Sequence, residues 1–471
     1  MLESPLRSAS DTEDCPFGPV DCPFGRGRAG MSLLLHNAHV VTMDDDGSEH
    51  ADGWVLIANG RIEAVGGSIP PEAGDSVDLA GAVVTPGLVN THHHLYQTLT
   101  RARAQQADLF TWLRELYPVW AGIDEESVYA AARTGLAELA LSGCSTVFDH
   151  HYVFPRGTNG LIEAEVRAAQ ELGVRIVASR GSMDLGESDG GLPPDSLVED
   201  IDTVLAETER LVGLQDDDGL VQIAVAPCSP FSVTGQLMRE SAKLARKLGL
   251  KLHTHVAETV EEEEYCRGLY GCRPVEYLQE LGWIDSDVWC AHCVHVHDED
   301  VQTFAGGGVG VAHCPTSNMR LGAGIARVRE LAAAGVDVGL GVDGSASNER
   351  GDLLFEVKQA LLVARARSGP DAMTVRDALR YGTRGGAAVL GRDDIGTLEP
   401  GKRADIAVWR TDGLELGGAV DPVAGLVLSA PHRVDRLYVG GEEVVREGRL
   451  VHADEEEIAR HHRVQAGRFA P

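Results

Sequence analysis

The sequence predicts an α/β chain built on a (β/α)8 TIM barrel, with a small composite β-sandwich formed by its N- and C-terminal segments. Three observations lead there. Eight short apolar runs alternate with longer amphipathic stretches between about residues 85 and 395. Strand-like alternation fills 31–84 and returns within 396–455. Polar residues gather at the C-terminal ends of the eight runs, the rim on which a barrel of this kind places its chemistry.

Taken in order, residues 1–30 read as a tail, in which DCPFG occurs twice among Pro and Gly without helical or strand period. From Met31 the pieces LLLHNAHVVTM, WVLIANGRIEAVG and SVDLAG read as short antiparallel strands. The eight runs follow: VVTPGLVNTH, CSTVFDHH, VRIVASR, VQIAVAP, LKLHTHVAE, VWCAHCVH, VGVAHCP and VDVGLGVD. Apolar throughout and separated by helix-like text such as EESVYAAARTGLAELALSG, they carry the signature of buried parallel strands. ADIAVWR and VDRLYVGGEEVVREGRLV then resume the strand texture, and residues 456–471 read as a C-terminal tail.

Composition narrows the function. The 471 residues carry 72 acids against 41 bases, a net charge of −31. Such a surface repels nucleic-acid backbones and anionic membranes, so neither is an expected partner. No run reaches the roughly 18 uninterrupted apolar residues of a membrane span. The first thirty residues lack a basic start followed by an apolar core, which reads as no secretory signal and a cytoplasmic location. The nine cysteines are an odd number, several within apolar runs, as expected of reduced thiols in a reducing compartment. Cys290 and Cys293 have C-x-x-C spacing but no second pair, and read as core thiols.

The strand ends hold 10 of the 18 histidines. The first run ends in His92, His93 and His94; the second in Asp149, His150 and His151. The fifth carries His253, His255 and then Glu258. The sixth ends at His292 with His295 after it, the seventh at His313 and the eighth at Asp343. So many on one rim predict a metal site. Residues two apart on a strand share a face, so His92 and His94 point inward together, with His255 and Asp343 as third and fourth ligands. Three imidazoles and one carboxylate suit zinc with an open position for water. His253, one layer deeper than His255, reads as a packed core residue. Barrel hydrolases with two metals often bridge them through a modified lysine on the fourth strand. None of the five lysines lies in the fourth run, so one zinc per chain is expected.

The segments PGLVNTHHHLYQTLTR, HTHVAE, AHCVH, AHCPTSNMRLG, GVDGSASN and GTLEPGKRADIAVW resemble the amidohydrolase superfamily, specifically its mononuclear purine- and triazine-type aminohydrolases. The likeness runs from Met31 to about Leu450. It implies that His92, His94, His255 and Asp343 bind zinc, that Glu258 shuttles protons and that His292 steadies the reacting water. The chemistry needs the same parts. Asp343 takes a proton from the water, and Glu258 protonates a ring nitrogen and then the departing ammonia. The run Glu261–Glu264, just beyond Glu258, reads as solvated surface.

The resemblance also bears on the substrate. Gln97, in H-x-x-Q, matches a glutamine that bonds the purine edge in guanine deaminases of this superfamily. Trp112 lies in FTWLRELYPVWAG, which resembles a loop that covers their substrate. The fourth run ends in APCSP, not in the arginine–phenylalanine pair of typical guanine deaminases. DHHYVFP, SRGSMDLGESDGGLPPDS and APCSPFSV are similar to the 8-oxoguanine deaminase branch, many of whose members carry the label hydroxydechloroatrazine ethylaminohydrolase. In that branch a cysteine is thought to meet the C8 carbonyl, which points to Cys228. Cys144 precedes its strand and falls at the opposite rim. The expectation is a zinc-dependent hydrolytic deaminase, most simply 8-oxoguanine plus water to urate plus ammonia. The alternatives are a triazine or other N-heterocycle aminohydrolase, a guanine deaminase, and more remotely a non-catalytic barrel partner, which would lack the ligands. Family members are usually dimers or larger, so a homo-oligomer acting on a small heterocycle is expected.

Overall fold

The computed structural model describes residues 32–216, 218–431 and 433–470. The predicted tail at 1–30 lies outside the described residues.

The chain opens with β1 (Ser32–Val41), β2 (Glu49–Ala58), β3 (Arg61–Gly67) and β4 (Asp75–Pro86). It then runs through eight parallel strands: β5 (Leu88–Asn90), β6 (Cys144–His151), β7 (Arg175–Ser182), β8 (Val221–Pro227), β9 (Leu252–Val256), β10 (Val288–His292), β11 (Gly310–His313) and β12 (Val338–Leu340). These close into a barrel in the order β10-β11-β12-β5-β6-β7-β8-β9, and each coincides with one of the eight apolar runs. Every residue of β5, β6, β7, β9 and β10 is buried, which is why these strands show no polar alternation. The barrel closes through a single pairing, Leu340 with Asn90. Asn90 Oδ1 reinforces it by accepting from the Val342 amide at 2.9 Å.

The chain returns to its N-terminal strands with β13 (Ile406–Trp409), β14 (Arg436–Val439), β15 (Glu442–Arg446) and β16 (Arg449–Leu450). Both ends form one continuous sheet, ordered β16-β15-β14-β13-β4-β1-β2-β3, joined where β13 pairs antiparallel with β4. The sheet rolls around its own apolar filling, including Leu35, Val55, Ile57, Val84 and Ile406. The roll is held by backbone bonds from Ile62 N to Lys402 O (2.9 Å) and from Ala404 N to Gly60 O (3.0 Å). Gly60 has φ +73°, and a Cβ there would fall 2.7 Å from the Gly440 carbonyl, so this turn requires glycine. A buried pair fastens sheet to barrel: the Arg175 guanidinium donates to both Asp405 carboxylate oxygens, at 3.0 and 3.3 Å.

The stretch read as a C-terminal tail is corrected by the structure. Glu455–Gly467 is a helix capped by Asp454. It lies on helix Glu125–Leu141, tied by Arg133 to Glu457 (2.8 Å) and His461 to Glu126 (2.8 Å). With Ile458 and Gln465 as its buried residues, it has almost no apolar period to read.

Candidate active site

The rim is shaped by sharp reversals at the strand ends. Ala257 (φ 52°), His292 (φ 71°), Cys293 (φ 47°) and Asp343 (φ 63°) all sit in the left-handed region. Non-glycine residues there store strain, and such strain clusters at functional sites.

Four groups converge. The Asp343 Oδ1 oxygen lies 3.4 Å from His92 Nε2 and 3.3 Å from His94 Nε2, and His94 Nε2 lies 3.2 Å from His255 Nε2. The Nδ1 atoms face outward: His92 to His253 Nε2 (2.9 Å), His94 to the His150 carbonyl (2.7 Å) and His255 to the Cys228 carbonyl (2.7 Å). Carbonyls only accept, so His94 and His255 carry the proton on Nδ1. All three Nε2 atoms thus turn toward one point. His92 Nε2 is buried without a hydrogen-bond partner, a cost that a cation would remove. This donor set fits zinc. His150 adds a ring stacked on His255 (centroids 4.7 Å apart) and also falls within reach of the cluster.

His253 is a core residue as read, with a role its packing did not reveal: it orients His92. Other positioning groups went unread. Ser317 Oγ donates to Asp343 Oδ2 (2.5 Å), and Ser347 Oγ donates to the same oxygen (3.2 Å). Asn318 Oδ1 accepts from His292 Nδ1 at 2.9 Å. Ser317 and Asn318 fall in the AHCPTSNMRLG motif, which marked the segment but not their roles. Asp149 Oδ1 accepts from the Leu95 amide (2.6 Å), fixing the turn just after His94.

Glu258 Oε2 lies 3.5 Å from His292 Nε2. Burial, aided by the charge of Asp343, pushes the Glu258 carboxyl well above the usual carboxylate range. Burial acts on Asp343 in the same direction, but the adjacent His92 imidazole and the fields of His292 and His94 hold it well below that range. Two carboxyl groups driven apart by their surroundings are suited to opposite proton roles. The four glutamates beyond are not all solvated. Glu262 is fully buried and accepts from the Ala257 (2.8 Å) and Glu258 (2.9 Å) amides. It turns inward because the helix Val260–Tyr270 starts at Thr259, placing Glu262 on the inner side of the first turn.

The remaining predicted residues meet in one cavity. Gln97, Trp112, Cys228, Glu258, His292 and Asp343 line it, with His94 and His255 at its floor. Gln97 lies on a 3-10 turn, Leu95–Thr100, with both amide atoms buried and unpaired. Trp112 belongs to a lid helix, Leu109–Trp120, and donates from Nε1 to Ala346 O at 3.3 Å. Cys228 Sγ is 4.0 Å from His255 Nδ1. Cys144 begins β6 at the far rim, and Cys290 and Cys293 are buried in the core. The cavity measures ≈ 30 Å³, against about 300 Å³ or more for ordinary small-molecule sites, and the helix Leu109–Trp120 forms one wall of it.

The sequence matches the amidohydrolase family over residues 83–444. The chain belongs to the amidohydrolase family. It is 46% identical over 424 residues to an 8-oxoguanine deaminase of Pseudomonas aeruginosa, covering 88% of this chain and 94% of that one. Hydroxydechloroatrazine ethylaminohydrolase of a Pseudomonas species is 36% identical over 457 residues, covering 91% and 95%. The crystal structure of atrazine chlorohydrolase from Arthrobacter aurescens, complexed with zinc, superposes with a TM-score of 0.89 at 35% identity, covering 92% of this chain and 100% of that one. This amidohydrolase is therefore an enzyme, a hydrolase of the aminohydrolase type. No helix among its described residues is long and apolar enough to cross a membrane.

Proposed function

We propose that the chain is a zinc-dependent hydrolytic deaminase of an oxidised purine, with 8-oxoguanine as substrate and urate and ammonia as products. One observation carries the reading: the cavity over the His/Asp cluster also presents Glu258, Gln97 and Cys228. The 8-oxoguanine deaminase relative, 46% identical, supports the same substrate. One zinc would be held by His92, His94, His255 and Asp343. A zinc ion held there would make hydroxide available near neutral pH by lowering the pKa of water.

The residues divide the remaining work. Asp343, held ionised, receives a proton from the attacking water. Glu258, whose buried carboxyl retains its proton, delivers it to a ring nitrogen and makes the amino-bearing carbon electrophilic. Glu258 then relays the proton gathered from the water to the amino group, the C–N bond breaks as ammonia leaves, and the proton of the added hydroxyl returns to Glu258 as the carbonyl forms. His292, oriented by Asn318, presents Nε2 to Glu258 at 3.5 Å and steadies the reacting water. Gln97 offers an acceptor and a donor to the purine edge. Cys228, with a backbone amide or a water, meets the C8 carbonyl.

A second reading, a triazine aminohydrolase, draws on the likeness to hydroxydechloroatrazine ethylaminohydrolase. Zinc content and ammonia release from 8-oxoguanine, guanine, isoguanine and hydroxytriazines separate the two. Preferred release from a triazine would displace the purine. The reading also takes the enzyme to be a cytoplasmic homo-oligomer.

A further inference from the structure

The cavity wall holds hydrogen-bonding capacity that none of these roles uses. Tyr117 sits on the lid helix, whose inward residues Leu109, Trp112, Leu113, Leu116, Tyr117 and Trp120 recur at helical spacing. Its ring meets Trp120 edge-on, with centroids 6.0 Å apart. The side chain is fully buried and lines the cavity with Cys228 and Gln97. Its hydroxyl has no hydrogen-bond partner. Burial pushes the phenol well above its ordinary range, so the group is a neutral O–H able both to donate and to accept.

A position serving only to pack would be filled better by phenylalanine, because a buried hydroxyl without a partner costs stability. The expense is recovered only when a polar ligand fills the cavity. We propose that Tyr117 is a specificity-determining residue whose hydroxyl pairs with an oxo or ring N–H group of the bound heterocycle, on the side of the ring that faces Cys228. The proposal rests on the reading that this cavity receives such a ring. It extends that reading by assigning a hydroxyl on the helix Leu109–Trp120 to substrate recognition. The bond it forms is one that an unoxidised ring cannot complete.

The test is Tyr117→Phe in the zinc-loaded enzyme, set beside wild type. Thermal midpoint, zinc content and kcat/KM are measured on 8-oxoguanine, guanine, isoguanine and a hydroxytriazine. The expected result is an unchanged or raised midpoint, unchanged zinc, and a 10- to 100-fold fall in kcat/KM on whichever ring wild type prefers. The ratio between that ring and its analogue lacking the oxo group should also narrow. Unchanged kinetics on the preferred ring, or a fall accompanied by a lowered midpoint, overturns the proposal. If wild type prefers a ring other than 8-oxoguanine and the variant still loses it, the substrate reading fails while Tyr117 keeps its role. If wild type prefers 8-oxoguanine and the variant is unaffected, the reverse holds.

Discussion

His92 Nδ1 lies 2.9 Å from His253 Nε2, and His253 Nδ1 faces the Trp289 carbonyl at 3.1 Å. The carbonyl can only accept, so His253 carries its proton on Nδ1 and its Nε2 accepts. His92 must then donate from Nδ1, which leaves the Nε2 lone pair facing Asp343. A buried residue outside the cavity thus sets the tautomer of an imidazole proposed to hold the metal.

His253→Leu is therefore expected to weaken zinc binding by about 10- to 100-fold while the barrel still folds. Competition against a chelator of known affinity reads this directly. Affinity equal to wild type would show that His92 is oriented by packing alone.

His255→Ala should lose most of the metal, since it removes one of the three imidazoles proposed to hold it and leaves the others arranged for a site it completed. Elemental analysis of the purified variant checks it against about one zinc per wild-type chain. Two metals per wild-type chain would overturn the mononuclear assignment.

Glu258→Gln keeps the shape of the side chain but cannot carry the proton. Zinc should stay and kcat should fall by about 10²- to 10⁴-fold, toward the upper end because one residue serves both ring nitrogen and leaving group. More than a tenth of wild-type kcat would move the proton carrier elsewhere, with His292 next in line.

Glu262→Ala leaves the Ala257 and Glu258 amides without their buried acceptor, at about 1–3 kcal/mol for each unsatisfied group. The cost should depend on pH. Burial raises the Glu262 carboxyl to about 7, above its ordinary 4.5. Between these values the folded chain keeps a proton that the unfolded chain has released, so this group's contribution to stability declines as pH rises through the window. Denaturant unfolding at pH 5 and pH 8 should show a larger penalty at pH 5. An equal penalty at both would mean that the carboxyl titrates normally.

The barrel was legible because strands buried on both faces must be apolar along their whole length, and eight such runs survive any uncertainty about helices. The cluster was legible because one-residue alternation in His92-x-His94 places both rings inward. What stayed hidden depends on contacts between distant segments. Glu262 reads as one of four like charges until the helix start at Thr259 turns it inward. His253 reads as packing until His92 is set beside it, 161 residues away. Tyr117 reads as one aromatic on an amphipathic face, and its unpaired hydroxyl shows only in three dimensions. The helix Glu455–Gly467 is held by ion pairs and a docking surface on another helix, so it leaves little periodic trace.

Substrate choice is tested most directly by kcat/KM for 8-oxoguanine and guanine, in wild type and in Cys228→Ala. A buried donor that meets the C8 carbonyl is left unpaired by guanine, at about 1–3 kcal/mol, or roughly one to two decades in kcat/KM. The account predicts that wild type prefers 8-oxoguanine by at least that margin, and that Cys228→Ala narrows the ratio while keeping its zinc. Equal use of the two purines by wild type, or release of ammonia from neither, would contradict it.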